Sequence, residues 1–272
     1  MPISELKTNA WQSKETAERY HAGTVGAHRL FQIIRHDLFL RHIERYVNRG
    51  SKVLDLGSGS GLLSVALSDL GYEVVACDVS QAMLDKLESE KGNRNIEMRL
   101  GNGFKIPALN EEFDAVVSRM FLQHFQDWPA ILKEKARVIR PGGIVLFDFG
   151  NREHVAAASN PRITAEFPYD AETDVATKYY AVATEEEMRQ AASVSGLSVV
   201  AIIPHGMMLN NAHLWNAIGG QGVEEFYSKL DRLLGNEQAR QLLLFIEESF
   251  VSLVPKHLTY GNVTVLRKIP SS

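Results

Sequence analysis

The sequence predicts an α/β chain built on a mostly parallel sheet with helices on both faces. Two observations carry this. Short β-branched, apolar runs at 51–57, 73–79, 95–101, 113–119 and 143–149 alternate with helix-like stretches of about ten residues, the rhythm of βαβ units. Three glycines spaced two apart, Gly57, Gly59 and Gly61, follow the first run directly and precede a helical pattern near Leu62, the order strand, turn, helix.

Each element has its own signal. Over 14–48, Leu30, Ile33, Ile34, Leu38 and Ile43 recur at helical steps and predict helices ending near Gly50, so 1–50 is expected to form an N-terminal helical cap. The core then runs over 51–150. Within it Ser80 is placed to cap a helix that stops at Gly92, and Pro141, Gly142 and Gly143 are expected to separate the helix from 128 to 140 from the fifth strand. Residues 151–182, with two prolines and polar clusters, read as an excursion.

The core resumes over 183–205, where Thr184 and Glu187 have capping-box spacing, Gly196 closes the helix, and 197–203 form a sixth strand. A helical insertion at 206–256 follows. Its second helix sets Ala239, Leu242, Leu243, Ile246, Phe250 and Leu253 on one face, suited to a substrate cap or a homodimer interface, and Pro255 ends it. The last strand lies within 257–272.

Composition excludes several classes. The 29 Lys and Arg against 33 Asp and Glu give a net charge near −4 without a basic run, so no nucleic-acid partner is expected. The single Cys77 lies in an apolar strand and reads as a buried small hydrophobe. No apolar stretch is long enough to span a bilayer and the N-terminus lacks a leader pattern, so no membrane association and a cytoplasmic location are expected.

The glycines are G-x-G-x-G and lack the third position of a dinucleotide fingerprint, and no Gly-Lys-Ser/Thr follows as a P-loop requires. Asp55, two residues before the first glycine, would repel a phosphate and attract an ammonium group. A carboxylate could then lie at the N-terminus of the following helix. Asp78, at the end of the next strand, stands where an acid in this topology meets a ribose diol. An amino acid joined to a nucleoside without phosphates answers both, and S-adenosylmethionine is such a molecule.

The motifs VLDLGSGSGLLSVAL, ACDVSQAMLDKL, FDAVVSRMFLQHF and ILKEKARVIRPGGIVLFDF, about 100 residues in order, resemble the class I S-adenosylmethionine-dependent methyltransferases, of the small-molecule type similar to the ubiquinone-biosynthesis enzymes. The resemblance implies a Rossmann-like, doubly wound, seven-stranded sheet with its last strand antiparallel, and a small-molecule substrate. It implies that Asp55, Gly57 and Gly59 line the methionine end of the cofactor, with Ser58 and Gly61 also binding it, that Asp78 takes the ribose, and that Val79 flanks the adenine. Asn102, where the family carries an acid, and Gly103 would meet the adenine through the amide oxygen, Arg119 would border the methionine, and Tyr20 would close over the cofactor.

His124 and His205 are the candidate general bases, for an acceptor whose nucleophile carries a proton. Trp11, Met207, Met208, Trp215, Phe226 and Tyr227 could line an apolar substrate cavity. His28 and His36 lack the companions of a zinc motif, and no metal site is expected. Two alternatives stay open: a nicotinamide-dependent oxidoreductase, and a binding protein that holds S-adenosylmethionine without transferring its methyl.

Overall fold

A computed structural model describes residues 3–25, 29–154, 181–207 and 223–270. Three helices come first: α1 (Ile3–Gln12), α2 (Lys14–Val25) and α3 (Arg29–Tyr46). Ile34, Leu38 and Ile43 of the expected apolar face are buried, together with Phe39 and Val47, and the side chains of Leu30 and Ile33 lie outside the described residues. Gly50 follows at φ 80, a left-handed turn that needs no side chain to clash.

The strands are β1 (Lys52–Leu56), β2 (Glu73–Asp78), β3 (Ile96–Leu100), β4 (Phe113–Ser118), β5 (Ile139–Asn151), β6 (Val182–Ala183), β7 (Leu197–His205) and β8 (Gly261–Lys268). The helices among them are α4 (Leu62–Asp69), α5 (Gln81–Glu90), α6 (Trp128–Val138), α7 (Glu185–Val194), α8 (Val223–Leu234) and α9 (Glu237–Phe250). In space the strand order is β3-β2-β1-β4-β5-β8-β7. All pairings are parallel except those of β8, antiparallel to both β5 and β7. The sheet is the Rossmann-like, mostly parallel one expected, with its last strand reversed.

Three details differ from the sequence reading, and a fourth concerns the face of α9. The two-residue β6 adds an eighth strand beside β5, pairing Gly150 with Val182. Pairing in β5 begins at Ile139, so Pro141, Gly142 and Gly143 lie within the strand; Ile139 has already turned to extended backbone and pairs with Phe113 before a register shift. Ser80 stands at the N-cap of α5, but its hydroxyl makes no cap bond and its N–H donates to Asp78 instead. On α9 the inward residues are Leu244 and Glu247, whereas Leu242, Phe245 and Phe250, with Leu253 beyond the helix, are exposed. Leu242, Phe250 and Leu253 of the face expected to serve as a cap or interface are thus left outside the core, while Ala239, Leu243 and Ile246 are half-buried.

The capping box at Thr184 is formed: its hydroxyl accepts the Glu187 N–H at 3.2 Å, and the Glu187 carboxylate accepts the Thr184 N–H at 2.8 Å. Two cores result, one on each face of the sheet. Leu54, Leu56, Val116, Val145 and Phe147 pack under α6 and α7; Val53, Ala76, Val117 and Leu146 pack under α3, α4 and α5. Among the described residues no helix is long and apolar enough to cross a membrane. Most of the 151–182 excursion, His28, Met208 and Trp215 lie outside the described residues, as do the side chains of Phe226 and Tyr227.

Candidate active site

The carboxyl ends of β1, β2 and β4 open on one cavity, the position where parallel α/β sheets hold ligands. Its floor is the glycine turn. Gly57, Gly59 and Gly61 all have positive φ, 76, 55 and 90, and the N–H groups of Gly57 and Ser58 donate to the Cys77 carbonyl at 2.8 and 3.1 Å, tying the turn to β2. A side chain on Gly57 would run into the Phe121 ring, and one on Gly103 would meet the Phe121 Cζ at 2.9 Å. Phe121 thus rests on two glycines at opposite sides of the cavity floor.

Asp55 lies on β1 with 1% exposure, its Oδ2 accepting the Ser64 hydroxyl of α4 at 2.6 Å. Burial raises its carboxyl from the ordinary range to about 6, against the lowering effects of Ser64 and Arg119. Asp78 ends β2. Its Oδ2 accepts the Gly59 N–H and its Oδ1 the Ser80 N–H, each at 2.9 Å, so the carboxylate clamps the glycine turn, and burial still raises its pKa.

Ser58 Oγ, Arg119 Nη1 and Trp11 Nε1 are buried polar atoms on the cavity wall with no hydrogen-bond partner among the described residues. All can donate. Arg119 forms no ion pair among the described residues. A site with unspent donors beside a buried carboxylate suits a ligand carrying an anionic and a cationic group side by side.

The sequence-derived residues distribute as follows. Tyr20, Val79, Asn102, Gly103 and His124 join the others on the cavity wall. Asn102 differs from its expected role: its Oδ1 already accepts the Phe104 and Lys105 N–H groups at 3.0 and 2.9 Å, shaping its own turn. Gly61 is not on the wall, and a side chain there would strike Leu87 of α5, so its need is helix packing. Cys77 is fully buried, with its thiol pushed up to about 12 by burial, and is inert.

His205 is the clear separation. It lies in a second cavity with Arg35, His42, Asp148 and Glu247, where burial holds its pKa at about 3. Above the first cavity, Trp11 packs edge-on against Tyr20 at 5.3 Å and against His124 at 5.2 Å between ring centroids. Trp11, read from the sequence as a candidate lining of a substrate cavity, stands on the wall of this one, carried by α1, which packs on α2. Met120 and Phe121 were legible as positions after β4, but not the floor that Phe121 forms.

Residues 54–147 match the family model described as a methyltransferase domain. This stretch is a methyltransferase domain. The match covers the glycine turn, Asp55, Asp78 and the wall through His124, and it replaces the nicotinamide alternative. Over 94 residues the chain is 42% identical to the demethylmenaquinone methyltransferase of Corynebacterium efficiens, covering 35% of this chain and 39% of that protein. It is 32% identical over 120 residues to the ubiquinone biosynthesis O-methyltransferase of Coxiella burnetii, covering 43% and 51%. The aligned region thus spans between two fifths and half of these curated relatives.

Among solved structures, the magnesium protoporphyrin IX methyltransferase of Synechocystis PCC 6803 with bound SAH superposes with a TM-score of 0.60, 12% identity and coverage of 96% and 97%. The [4+2]-cyclase SpnF superposes with a TM-score of 0.53, 16% identity and coverage of 87% and 82%. These two likenesses extend the methyltransferase-domain fold beyond the aligned stretch.

Proposed function

We propose that this protein is an S-adenosylmethionine-dependent methyltransferase acting on a small molecule. The observation that carries the reading is the pairing, on one cavity wall, of the buried Asp55 carboxylate with the unpaired Arg119 guanidinium, two opposite charges at the end of the glycine turn. They match the ammonium and carboxylate of a methionine moiety, which Ser58 Oγ and the helix α4 N-terminus would complete. Asp78 keeps lone pairs beyond those given to Gly59 and Ser80 for a ribose diol, and Val79 and Gly103 border the space left for the adenine.

The cofactor supplies a methyl group activated by its sulfonium. The chain's residues align it with an acceptor for in-line attack and exclude water, and alignment of this kind can contribute about 7–11 kcal/mol. Trp11, Tyr20 and the helices α1 and α2 cover the site, with His124 beside them to take a proton where the acceptor carries one. The insertion bearing α8 and α9, together with α3, would hold an apolar or aromatic acceptor. The exposed Leu242, Phe245, Phe250 and Leu253 support a homodimer, which the mass in solution tests.

Calorimetry decides the cofactor. Adenosylhomocysteine is expected to bind and NAD is not, because Asp55 opposes a pyrophosphate. Tight NAD binding, or a folded protein indifferent to adenosylhomocysteine, overturns the assignment.

A further inference from the structure

Trp11, next to the end of α1, stands on the wall of the first cavity. Its indole meets the Tyr20 ring at 87° and the His124 ring at 64°, with centroids 5.3 and 5.2 Å apart, so both contacts are edge-on. Tyr20 belongs to α2 and His124 to the turn after β4. Three segments of the chain meet here in one aromatic corner, and Arg119 and Met120 from the end of β4 share the wall with it.

The Trp11 Nε1 is buried and has no hydrogen-bond partner among the described residues. An indole N–H gives up water on burial, and most that do so find an acceptor in exchange. This nitrogen donates and cannot accept, so what it lacks is an atom with a lone pair. On the methyltransferase reading the cofactor has its own partners on the wall, with Asp55, Arg119 and Ser58 at the methionine end and Asp78 at the ribose. The indole N–H is left for the methyl acceptor.

Charge narrows the class. The acids on the wall are already engaged, Asp55 with the Ser64 hydroxyl and Asp78 with the N–H groups of Gly59 and Ser80, whereas Arg119 keeps its Nη1 without a partner. An oxygen with negative charge gains twice, from a charge-assisted bond to the indole and from the field of the guanidinium. At about pH 7 a carboxylate arrives ionised, while a phenol must first lose its proton. We infer that Trp11 Nε1 is the hydrogen-bond donor to a carboxylate of the methyl acceptor, carried on an aromatic or apolar body that packs against the Trp11, Tyr20 and His124 rings. The inference rests on the methyltransferase reading.

The test uses the full chain labelled with nitrogen-15 at the tryptophan indoles, saturated with adenosylhomocysteine and titrated with benzoate. The resonance that Trp11→Phe removes should move downfield and saturate. Benzyl alcohol, a neutral oxygen on the same ring, should bind about tenfold more weakly, the step from a charge-assisted to a neutral hydrogen bond. In Trp11→Phe the preference for benzoate over benzyl alcohol should shrink by a similar factor. No saturable shift at Trp11, equal affinity for benzyl alcohol, or tighter binding of phenyltrimethylammonium, the cation that aromatic rings could hold instead, each overturns the carboxylate site. A downfield shift complete with adenosylhomocysteine alone, and unmoved by benzoate, would give the N–H to the cofactor and overturn it too. Should Trp11→Phe fail to fold, the contacts of the indole with the Tyr20 and His124 rings assign the resonance and the wild-type comparison decides alone. Benzoate shifts at Trp11 without any adenosylhomocysteine binding would leave the carboxylate site standing and sink the methyltransferase reading.

Discussion

The Asp148 carboxylate holds the main-chain N–H of Met120, a non-glycine residue in the left-handed region at φ 54. Its other oxygen takes Arg35 of α3 in an ion pair whose side chains are 8% and 2% exposed. Left-handed backbone costs a residue with a Cβ about 1–2 kcal/mol, so the turn that sets Arg119 and Phe121 on the cavity wall is kept by a bond from β5.

Asp148→Ala should therefore do two things. Leaving Arg35 buried without its partner is expected to cost about 3–5 kcal/mol in urea unfolding. Releasing Met120 should weaken adenosylhomocysteine binding, and adding Met120→Gly, which accepts positive φ freely, should restore part of that affinity without restoring the stability. A double variant that binds no better than Asp148→Ala would show that the Met120 bond does not shape the site. Met120→Val, β-branched at positive φ, is expected to destabilise more than Met120→Gly.

The glycines separate by what surrounds them. Gly71 has φ 86 with nothing within 4 Å of a built Cβ, so Gly71→Ala should cost only the backbone penalty of about 1–2 kcal/mol. At Gly57 the same substitution also drives a methyl into Phe121, adding about 1–3 kcal/mol of overpacking and distorting the cofactor floor. Thermal unfolding with and without adenosylhomocysteine compares them. Equal losses at the two sites would count against the packing of Phe121 on Gly57.

Asp78 binds protein before it binds any ribose, because both its oxygens accept backbone N–H groups. Asp78→Ala should weaken adenosylhomocysteine affinity by about 1.5–3 kcal/mol and also loosen the turn, lowering the melting temperature of the unliganded protein. Asp78→Asn retains one acceptor and turns an NH2 toward a backbone N–H, so it should recover only part of either loss. Calorimetry and melting on both variants check this, and an alanine variant with wild-type affinity would remove the ribose role.

Asp55 carries a pH signature. Burial raises its carboxyl from 3.8 to about 6, so the folded state holds the proton more tightly than the unfolded one. Stability from this group is full below pH 4 and is lost as pH rises to about 6, a change of about 3 kcal/mol. Asp55→Asn, whose amide oxygen can still accept from Ser64, should thus stabilise the unliganded protein at pH 7 by up to about 3 kcal/mol. It should give no gain near pH 3 and should weaken adenosylhomocysteine binding. Urea titrations at the two pH values read this directly, and a gain that is the same at both would contradict the buried-carboxyl account.

Local chemistry determined much of this molecule in advance. The seven main strands follow from β-branched runs, which suit a buried parallel sheet wherever they lie, and the glycine turn follows from three residues able to take positive φ within five positions. Asp55 and Asp78 are placed at the cavity because each sits at a counted distance from that turn. Tertiary structure alone decided what depends on separate segments meeting. The Arg35–Asp148 pair joins residues 113 positions apart, His205 is carried into a second cavity away from His124, and Trp11 arrives over the first. Asn102 turned its oxygen inward to two N–H groups of its own loop, and the core took Leu244 and Glu247 of α9 rather than the apolar stripe of Leu242 and Phe250. The reason is the same in each case: periodicity and turn chemistry are properties of neighbours along the chain, whereas burial and pairing depend on which helix the crossovers of the sheet bring to each face.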